Sequence, residues 1–485
     1  MNKKGAILVV LILIVLLLPI GASSISGQNT RTPIKHVINI YFENHTFDNY
    51  FGTYPQSPQS SKQDIISSLP TPVNLLSNVS LLSSVRAIPP GNFSTPDPIE
   101  GYTAYHTDWN HGSMNNFLNG SGPYSMTYYD SSQLGPIWDL AEQYSMGDMY
   151  FSPLLSESAP NTMYYLAGFS PVFNDYGPPP GIPFSQTIFG ELSSYNVSWG
   201  LYIPKQSLAS NYSEWNHIEG MNSHLGNVGT WNDFTSELEN GTIPSVSYIF
   251  SQEANGTDQA APSNILKGEM WLIYLVNKIE ESPIWNSTAI FITWDDPGGY
   301  YDQVSPPVLD GIQLGFRLPF IVVSPFAKEG YISNTILTHP SILAFIDYNW
   351  EMPALNQFVS RVNIPIDFFN FHDSYGQNGI LREPIIFNFG DNFPVPKAPE
   401  FTLPTNLQSL NVSATFPMEP QYNLSSLPYP KTGSVTFNLS SISPQVFVKQ
   451  NSVLVPFYAS YSFLFAFILL NVIVLSFGVR QRWKK

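Results

Sequence analysis

His36-Val37-Ile38-Asn39-Ile40-Tyr41-Phe42-Glu43-Asn44-His45-Thr46-Phe47-Asp48 decides the fold class of this chain, because an unbroken β-branched and aromatic run stops abruptly at an acid and an amide. Such a run reads as a strand ending at Glu43. From Ile34 to about Phe389 the same texture recurs, short β-branched runs alternating with amphipathic stretches, which is the pattern of an α/β domain. Pro136 to Tyr144 predicts a helix opened by proline in its first turn, and Ser145 to Tyr150 the strand after it. Ser245 to Ser251 predicts another strand, and Gly268 to Ile279 a largely buried helix, since apolar residues lie all round it. The helix leads to strand Thr288 to Thr293, which runs into Asp295-Asp296. Phe320-Ile321-Val322-Val323 is continuously apolar, the expectation for a central parallel strand.

The ends differ from this middle. Lys3-Lys4 precede an apolar run from Ala6 to Leu18 and the small residues Gly21-Ala22-Ser23-Ser24, the layout of a signal peptide or amino-terminal anchor over 1–24. Residues 453–479 are apolar or weakly polar over the length a membrane helix needs, and the basic tail 480–485 follows. These features predict a cell-surface protein, held in the membrane by its C-terminal helix, with the catalytic domain 34–389 outside the cytoplasm. Between them, 390–452 is rich in Pro, Asn, Ser and Thr with short β-like pieces such as Ser434-Val435-Thr436-Phe437, and reads as a β-rich or irregular stalk. Asn-x-Ser/Thr triplets at Asn78, Asn92, Asn119, Asn196, Asn211, Asn240, Asn255, Asn286, Asn411, Asn423 and Asn438 agree with an exterior location.

Composition removes several classes of function. There is no cysteine, so disulfides, thiolate metal sites and cysteine nucleophiles are excluded. The formal net charge is −16, with no block of Lys or Arg in the ectodomain to track a phosphate backbone, and nucleic acid is not an expected partner. The low charged fraction of 12% also suits an acidic exterior, where carboxylates add little solubility.

Chemistry-bearing residues gather just past predicted strand ends, where open α/β sheets bind ligands. Glu43-Asn44 follow the first strand and Asp295-Asp296 a later one. These four oxygen donors suit a hard or borderline divalent cation, although an acidic pair after a strand, taken alone, is more often an ordinary solvated turn. With cysteine absent, a nucleophile has to be Ser or Thr, and Ser156 and Ser158 lie in a loop shaped by Pro153, Pro160 and Asn161. His106 and His111 lie near other candidate segments, and His339 precedes an apolar helix, where it is a candidate either for phosphate binding and proton transfer or for a structural place at the helix start.

Four segments in order raise these candidates together. Ile34 to Gly52, Tyr105-His106-Thr107-Asp108-Trp109 with Gly112-Ser113-Met114, Trp294 to Asp302, and Gly315-Phe316-Arg317-Leu318-Pro319 on to His339 resemble the motifs of the phosphoesterase family that contains bacterial phospholipases C and acid phosphatases. The resemblance covers roughly Ile34 to Phe371. It implies an alkaline-phosphatase-like three-layer sandwich around a mainly parallel sheet, and hydrolysis of phosphate esters, phospholipids among them. It also implies Ser158 as nucleophile, His106 and His339 as active-site histidines, and Glu43, Asn44, Asp295 and Asp296 at the metal or phosphate positions. Two departures stand out: Gln303 follows Tyr301-Asp302 where the family often has His, and Asp258-Gln259 occupy a segment that often carries another. Glutamine can bind a phosphate oxygen but cannot act as an acid. The competing expectation is a glycosylated surface protein that keeps the fold without the activity. Asn44 itself begins an Asn-His-Thr triplet, and a place in the site predicts that it is unglycosylated.

Overall fold

The computed structural model describes residues 29–54, 86–175, 181–204, 218–251, 256–371, 385, 445–450 and 453–458. In chain order its principal strands are β1 (His36–Phe42), β2 (Ser145–Gly147), β3 (Trp199–Tyr202), β4 (Val228–Gly229), β5 (Val246–Phe250), β6 (Thr288–Trp294), β7 (Phe320–Val323) and β8 (Tyr331–Ser333). They form one eight-stranded sheet in the order β8-β2-β7-β6-β1-β5-β3-β4. The centre of the sheet is parallel: β1 pairs with β5 and β6, and β5 with β3.

Alternation along β1 explains the layering. Val37 and Tyr41 face one core, together with Tyr165, Phe291 and Phe345, while Ile38, Ile40 and Phe42 face another, with Trp271, Leu275 and Ile292. Helices cover both faces. Helices α4 (Ser158–Ala167), α5 (Ile188–Ser194) and α8 (His339–Asn349) pack on the first, and α3 (Gly135–Gln143), α6 (Trp231–Asn240) and α7 (Ile265–Glu280) on the second. Two short helices carry chemistry-bearing residues: α1 (Phe47–Phe51), whose Tyr50 and Phe51 join the second core, and α2 (Tyr102–Trp109).

Three sequence expectations change. β7 is buried throughout, but it runs antiparallel to both β6 and β2, because continuous apolarity reports two covered faces and carries no information on direction. The single strand expected from Ser145 to Tyr150 breaks at Asp148-Met149. Ser145–Gly147 stays in the main sheet, whereas Tyr150–Phe151 pairs with Leu337–Thr338 in a separate two-stranded ribbon. The first residues of the expected membrane helix, Val453–Tyr458, are a strand paired antiparallel with Gln445–Gln450. Among the described residues no helix is long and apolar enough to cross a membrane. The signal segment, most of the stalk, residues 459–479 and the basic tail lie outside the described residues.

Candidate active site

Register builds the centre of the site. Phe42 and Trp294 are parallel partners at the carboxyl ends of β1 and β6, so Glu43-Asn44 and Asp295-Asp296 leave the sheet side by side. The Asp295 amide donates to the Phe42 carbonyl at 3.0 Å. Asp295 Oδ1 accepts from the amides of Asn44 at 2.8 Å and Asp296 at 2.7 Å, tying the two turns together. Asn44 lies in the left-handed region at φ 67°, a conformation asparagine tolerates better than most side chains. Gly298, at φ 57°, lets the acidic turn approach: a Cβ there would stand 2.4 Å from the Asn44 carbonyl oxygen.

Ser158 arrives from the other side of the site as the first residue of α4. Its hydroxyl lies 3.2 Å from Glu43 Oε2 and 3.3 Å from Asp296 Oδ2, so the serine meets one acid from each strand end. Asn161 holds the loop in that position. Its Oδ1 accepts from the Leu154 amide at 2.8 Å, and its Nδ2 donates to the carbonyls of Ser156 at 2.8 Å and Glu157 at 2.9 Å. Ser156, the other candidate, donates to the Phe173 carbonyl.

The two histidines occupy different environments. His106 stacks on Tyr102, with ring centroids 3.9 Å apart, and its Nδ1 bonds the Tyr102 carbonyl at 2.7 Å. From the same helix, the Tyr105 hydroxyl reaches Asp296 Oδ1 at 3.4 Å. Burial, reinforced by the neighbouring His111, pushes His106 down to about 3, so its ring is neutral across the physiological range. His339 is completely buried at the start of α8, with Nδ1 2.7 Å from the Tyr150 hydroxyl and Nε2 2.9 Å from the Asp295 carbonyl. Burial lowers it to about 3 as well. In this arrangement His339 braces the backbone of Asp295.

The two glutamines are spent internally. Gln259 Oε1 accepts from Trp294 Nε1 at 3.0 Å and from the Tyr50 hydroxyl at 3.2 Å, while Nε2 donates to the Ile265 carbonyl at 3.2 Å. Gln303 donates through its amide and Nε2 to the two oxygens of Asp48, at 2.8 and 3.2 Å.

Sequence reasoning missed an outer ring of acids. Glu100 Oε1 accepts from Asn44 Nδ2 at 3.0 Å, Glu157 accepts from the Asp175 amide at 2.9 Å, and Asp175 accepts from the Ala159 amide at 2.9 Å. Only Glu157 had a visible signal, its place between the two candidate serines. Burial first, then mutual repulsion with Asp97, Asp295, Glu157 and Asp175, holds Glu100 well above the usual carboxylate range, and burial with Asp295 and Glu100 does the same for Asp296. Among the described residues no ion pair joins Glu100, Asp175 or Asp296 to a Lys or Arg.

Whether these residues suit a cation can be judged from their unmet demands. Asn44 Oδ1 and Asp295 Oδ2 are buried with no hydrogen-bond partner, and buried polar atoms are normally satisfied. Among the described residues no three His, Cys, Asp or Glu side chains form a closed ligand group, but the donors here also include an amide and a hydroxyl. An oxygen-only set with surplus negative charge fits a divalent cation such as Mg²⁺, Ca²⁺ or Mn²⁺.

The chain belongs to the Phosphoesterase family, which matches residues 34–353. Phospholipase C B of Mycobacterium tuberculosis (strain H37Rv) is 25% identical over 413 residues, covering 69% of this chain and 76% of that protein. The non-hemolytic phospholipase C of Burkholderia pseudomallei is 24% identical over 397 residues, covering 66% of this chain and 55% of its own length. Non-specific phospholipase C6 of Arabidopsis thaliana is 24% identical over 337 residues, covering 62% of this chain and 64% of that protein. Likeness to solved structures is remote. A protein of the alkaline phosphatase superfamily from Vibrio parahaemolyticus aligns over 59% of this chain and 76% of its own, with 11% identity and a TM-score of 0.33.

Proposed function

We propose that this chain hydrolyses phosphate esters through a phosphoserine at Ser158. The observation that carries the reading is the Ser158 hydroxyl set between Glu43 and Asp296, at 3.2 and 3.3 Å, in a chain whose family and relatives are phosphoesterases and phospholipases C. Glu43 and Asp296 both accept from the Ser158 hydroxyl, which sets a carboxylate oxygen where it can take the serine proton. Ser158 Oγ attacks phosphorus as its proton passes to the facing carboxylate, the bond to the leaving oxygen breaks, and that oxygen takes its proton from a solvent water; the proton held by the carboxylate returns to Ser158 Oγ when the phosphoserine is hydrolysed. Water then attacks the phosphoserine, releasing the phosphoryl product and restoring the hydroxyl. Glu43, Asn44, Asp295 and Asp296 would hold a divalent cation, which when bound neutralises phosphate charge and lowers the pKa of the nucleophile. His106, on the helix whose Tyr105 reaches Asp296, would bond a phosphate oxygen, and the α4 amino terminus at Ser158 favours the anion.

The substrate class follows from the relatives as a phospholipid, with soluble monoesters as the alternative. Assay of the full chain on phosphatidylcholine and on p-nitrophenyl phosphate, with and without chelator, tests both points. Turnover that chelation and Ser158→Ala each abolish is expected; turnover that survives either overturns the mechanism. We also infer that the domain works outside the cytoplasm and is carried by the apolar termini. The described triplet asparagines Asn92, Asn119, Asn196, Asn240 and Asn286 are all exposed, which supports this, and Asn44 is buried. Glycopeptide mapping that finds a glycan on Asn44 would count against both the site and the mechanism.

A further inference from the structure

The segment that flanks the site ends in apolar side chains with nothing over them. Ile99 is 61% exposed, Leu118 42% and Tyr124 40%; the other exposed large hydrophobic side chains among the described residues, Tyr195, Val308 and Ile366, come from separate segments of the chain. The three belong to one surface. The Ile99 amide donates to the Ser121 carbonyl at 2.9 Å, and the Ile99 Cδ1 lies against Gly122, between the Leu118 turn and the short helix Pro123–Met126 that carries Tyr124. The mounting is rigid. Phe117 and Met126 sit in a buried cluster with Tyr105, Tyr301 and Phe316, and the Ser121 amide and hydroxyl both bond Asp108.

This surface adjoins the site directly. Glu100, next in the chain to Ile99, bonds Asn44 at 3.0 Å, and the Ile99 carbonyl stands against Gly299, just past Asp295-Asp296. Charge restricts what can cover it. No Lys or Arg occurs between Arg86 and Lys205, and the site behind the rim is rich in carboxylates, so an anionic surface is repelled. An apolar, uncharged rim beside a phosphoesterase site matches a neutral lipid layer, where aliphatic tips enter the acyl boundary and a tyrosine sits at the headgroup level.

We propose that Ile99, Leu118 and Tyr124 form a docking rim for a zwitterionic lipid surface, bringing the site to the headgroups. The proposal rests on the phosphoesterase reading, and its test separates the two. Because the chain has no cysteine, a polarity-sensitive dye on Leu118→Cys reports that position alone, with Ser236→Cys on the exposed face of α6 as control. With phosphatidylcholine vesicles, the full chain labelled at Leu118→Cys is expected to brighten and shift to the blue, and the control to stay unchanged. The unlabelled variant Ile99→Ser/Leu118→Ser/Tyr124→Ser is expected to hydrolyse vesicles about tenfold more slowly and a soluble monomeric diester at the parent rate. An unresponsive Leu118 label overturns the proposal even if the enzyme is active, as does equal vesicle hydrolysis by the triple variant. So does self-association through the rim that quenches the label without vesicles, or a glycan on Asn119, which would hold the rim off a bilayer. Absence of turnover on every ester, with the label still responding, overturns the phosphoesterase reading and leaves the rim standing.

Discussion

Two buried acid clusters, built from the same stretches of sequence, are balanced in opposite ways. Around Ser158, the residues Glu43, Glu100, Asp295 and Asp296 crowd together, and among the described residues no ion pair joins Glu100, Asp295 or Asp296 to a Lys or Arg. Nearby, Asp48, Asp302 and Asp148 surround Arg317. The guanidinium donates to Asp302 Oδ1 at 2.9 Å, Asp48 Oδ1 at 2.8 Å and the Asp148 carbonyl at 3.1 Å, and it lies over the Phe47 ring at 4.5 Å. The second cluster carries its cation in the chain and is structural. It joins the helix after Asn44, the turn after Asp296 and the strand region before Ser158, the three segments that deliver the site. Under the proposed mechanism the first cluster would take its countercharge from a divalent cation held by Glu43, Asn44, Asp295 and Asp296.

The largest expected effect breaks the functional cluster alone. Ser158→Ala removes the proposed nucleophile and should lower kcat by about 10⁴-fold or more, with the melting temperature unchanged. Loss of Arg317 breaks the structural cluster instead. Arg317→Met leaves Asp48 and Asp302 buried without their guanidinium countercharge and should cost about 3–5 kcal/mol, read as a large fall in denaturation midpoint or failure to fold. The two clusters should then respond with opposite sign to charge removal. In chelator, Asp296→Asn relieves repulsion with Asp295 and Glu100 and should raise the melting temperature by a few degrees while abolishing turnover, whereas Asp48→Asn should lower it. Thermal scans of the two variants with and without divalent cation check this directly. If both are destabilised in chelator, the uncompensated cluster is balanced by something other than a cation.

What the sequence made legible follows the same division. Strand ends announce themselves, since an apolar run that stops at Glu43-Asn44 or Asp295-Asp296 places polar groups at the edge of a sheet whatever the rest does. The register Phe42 to Trp294 then makes the two pairs neighbours. The loop before α4 offered Ser156 and Ser158 alike, and only the family resemblance singled out Ser158, whose hydroxyl is the one that meets Glu43 and Asp296. The outer acids were not legible: Glu100 and Asp175 come from loops with no periodicity, and only tertiary approach shows that they face the site. Direction was equally hidden. The sequence of β7 encodes burial on both faces, and its antiparallel course depends on the path of the 295–319 segment before it. The orientation of His339 depends on Tyr150, which belongs to a strand that the sequence reading had run together with β2.

A third pair of acids, remote from both clusters, sharpens the comparison through pH. Asp347 on α8 and Glu191 on α5 face each other in the interior, with no basic group acting on either. Burial and repulsion from Glu191 push Asp347 up to about 9, and burial pushes Glu191 up to about 7. In the unfolded chain both titrate near 4. Between those limits the native state binds more protons than the unfolded state, so stability is highest at low pH, falls as pH rises from about 4, and levels out above about 9. The unmodified chain should therefore melt at a higher temperature at pH 5 than at pH 8, a sign that suits an acidic exterior. Asp347→Asn removes one proton site while keeping the shape, so it should reduce that slope by a degree or two without changing turnover. A slope equal to the parent's would place the pH dependence in the Arg317 cluster, where Asp48 and Asp148 are also raised to about 7, and the Asp48→Asn scan would then show the flattening.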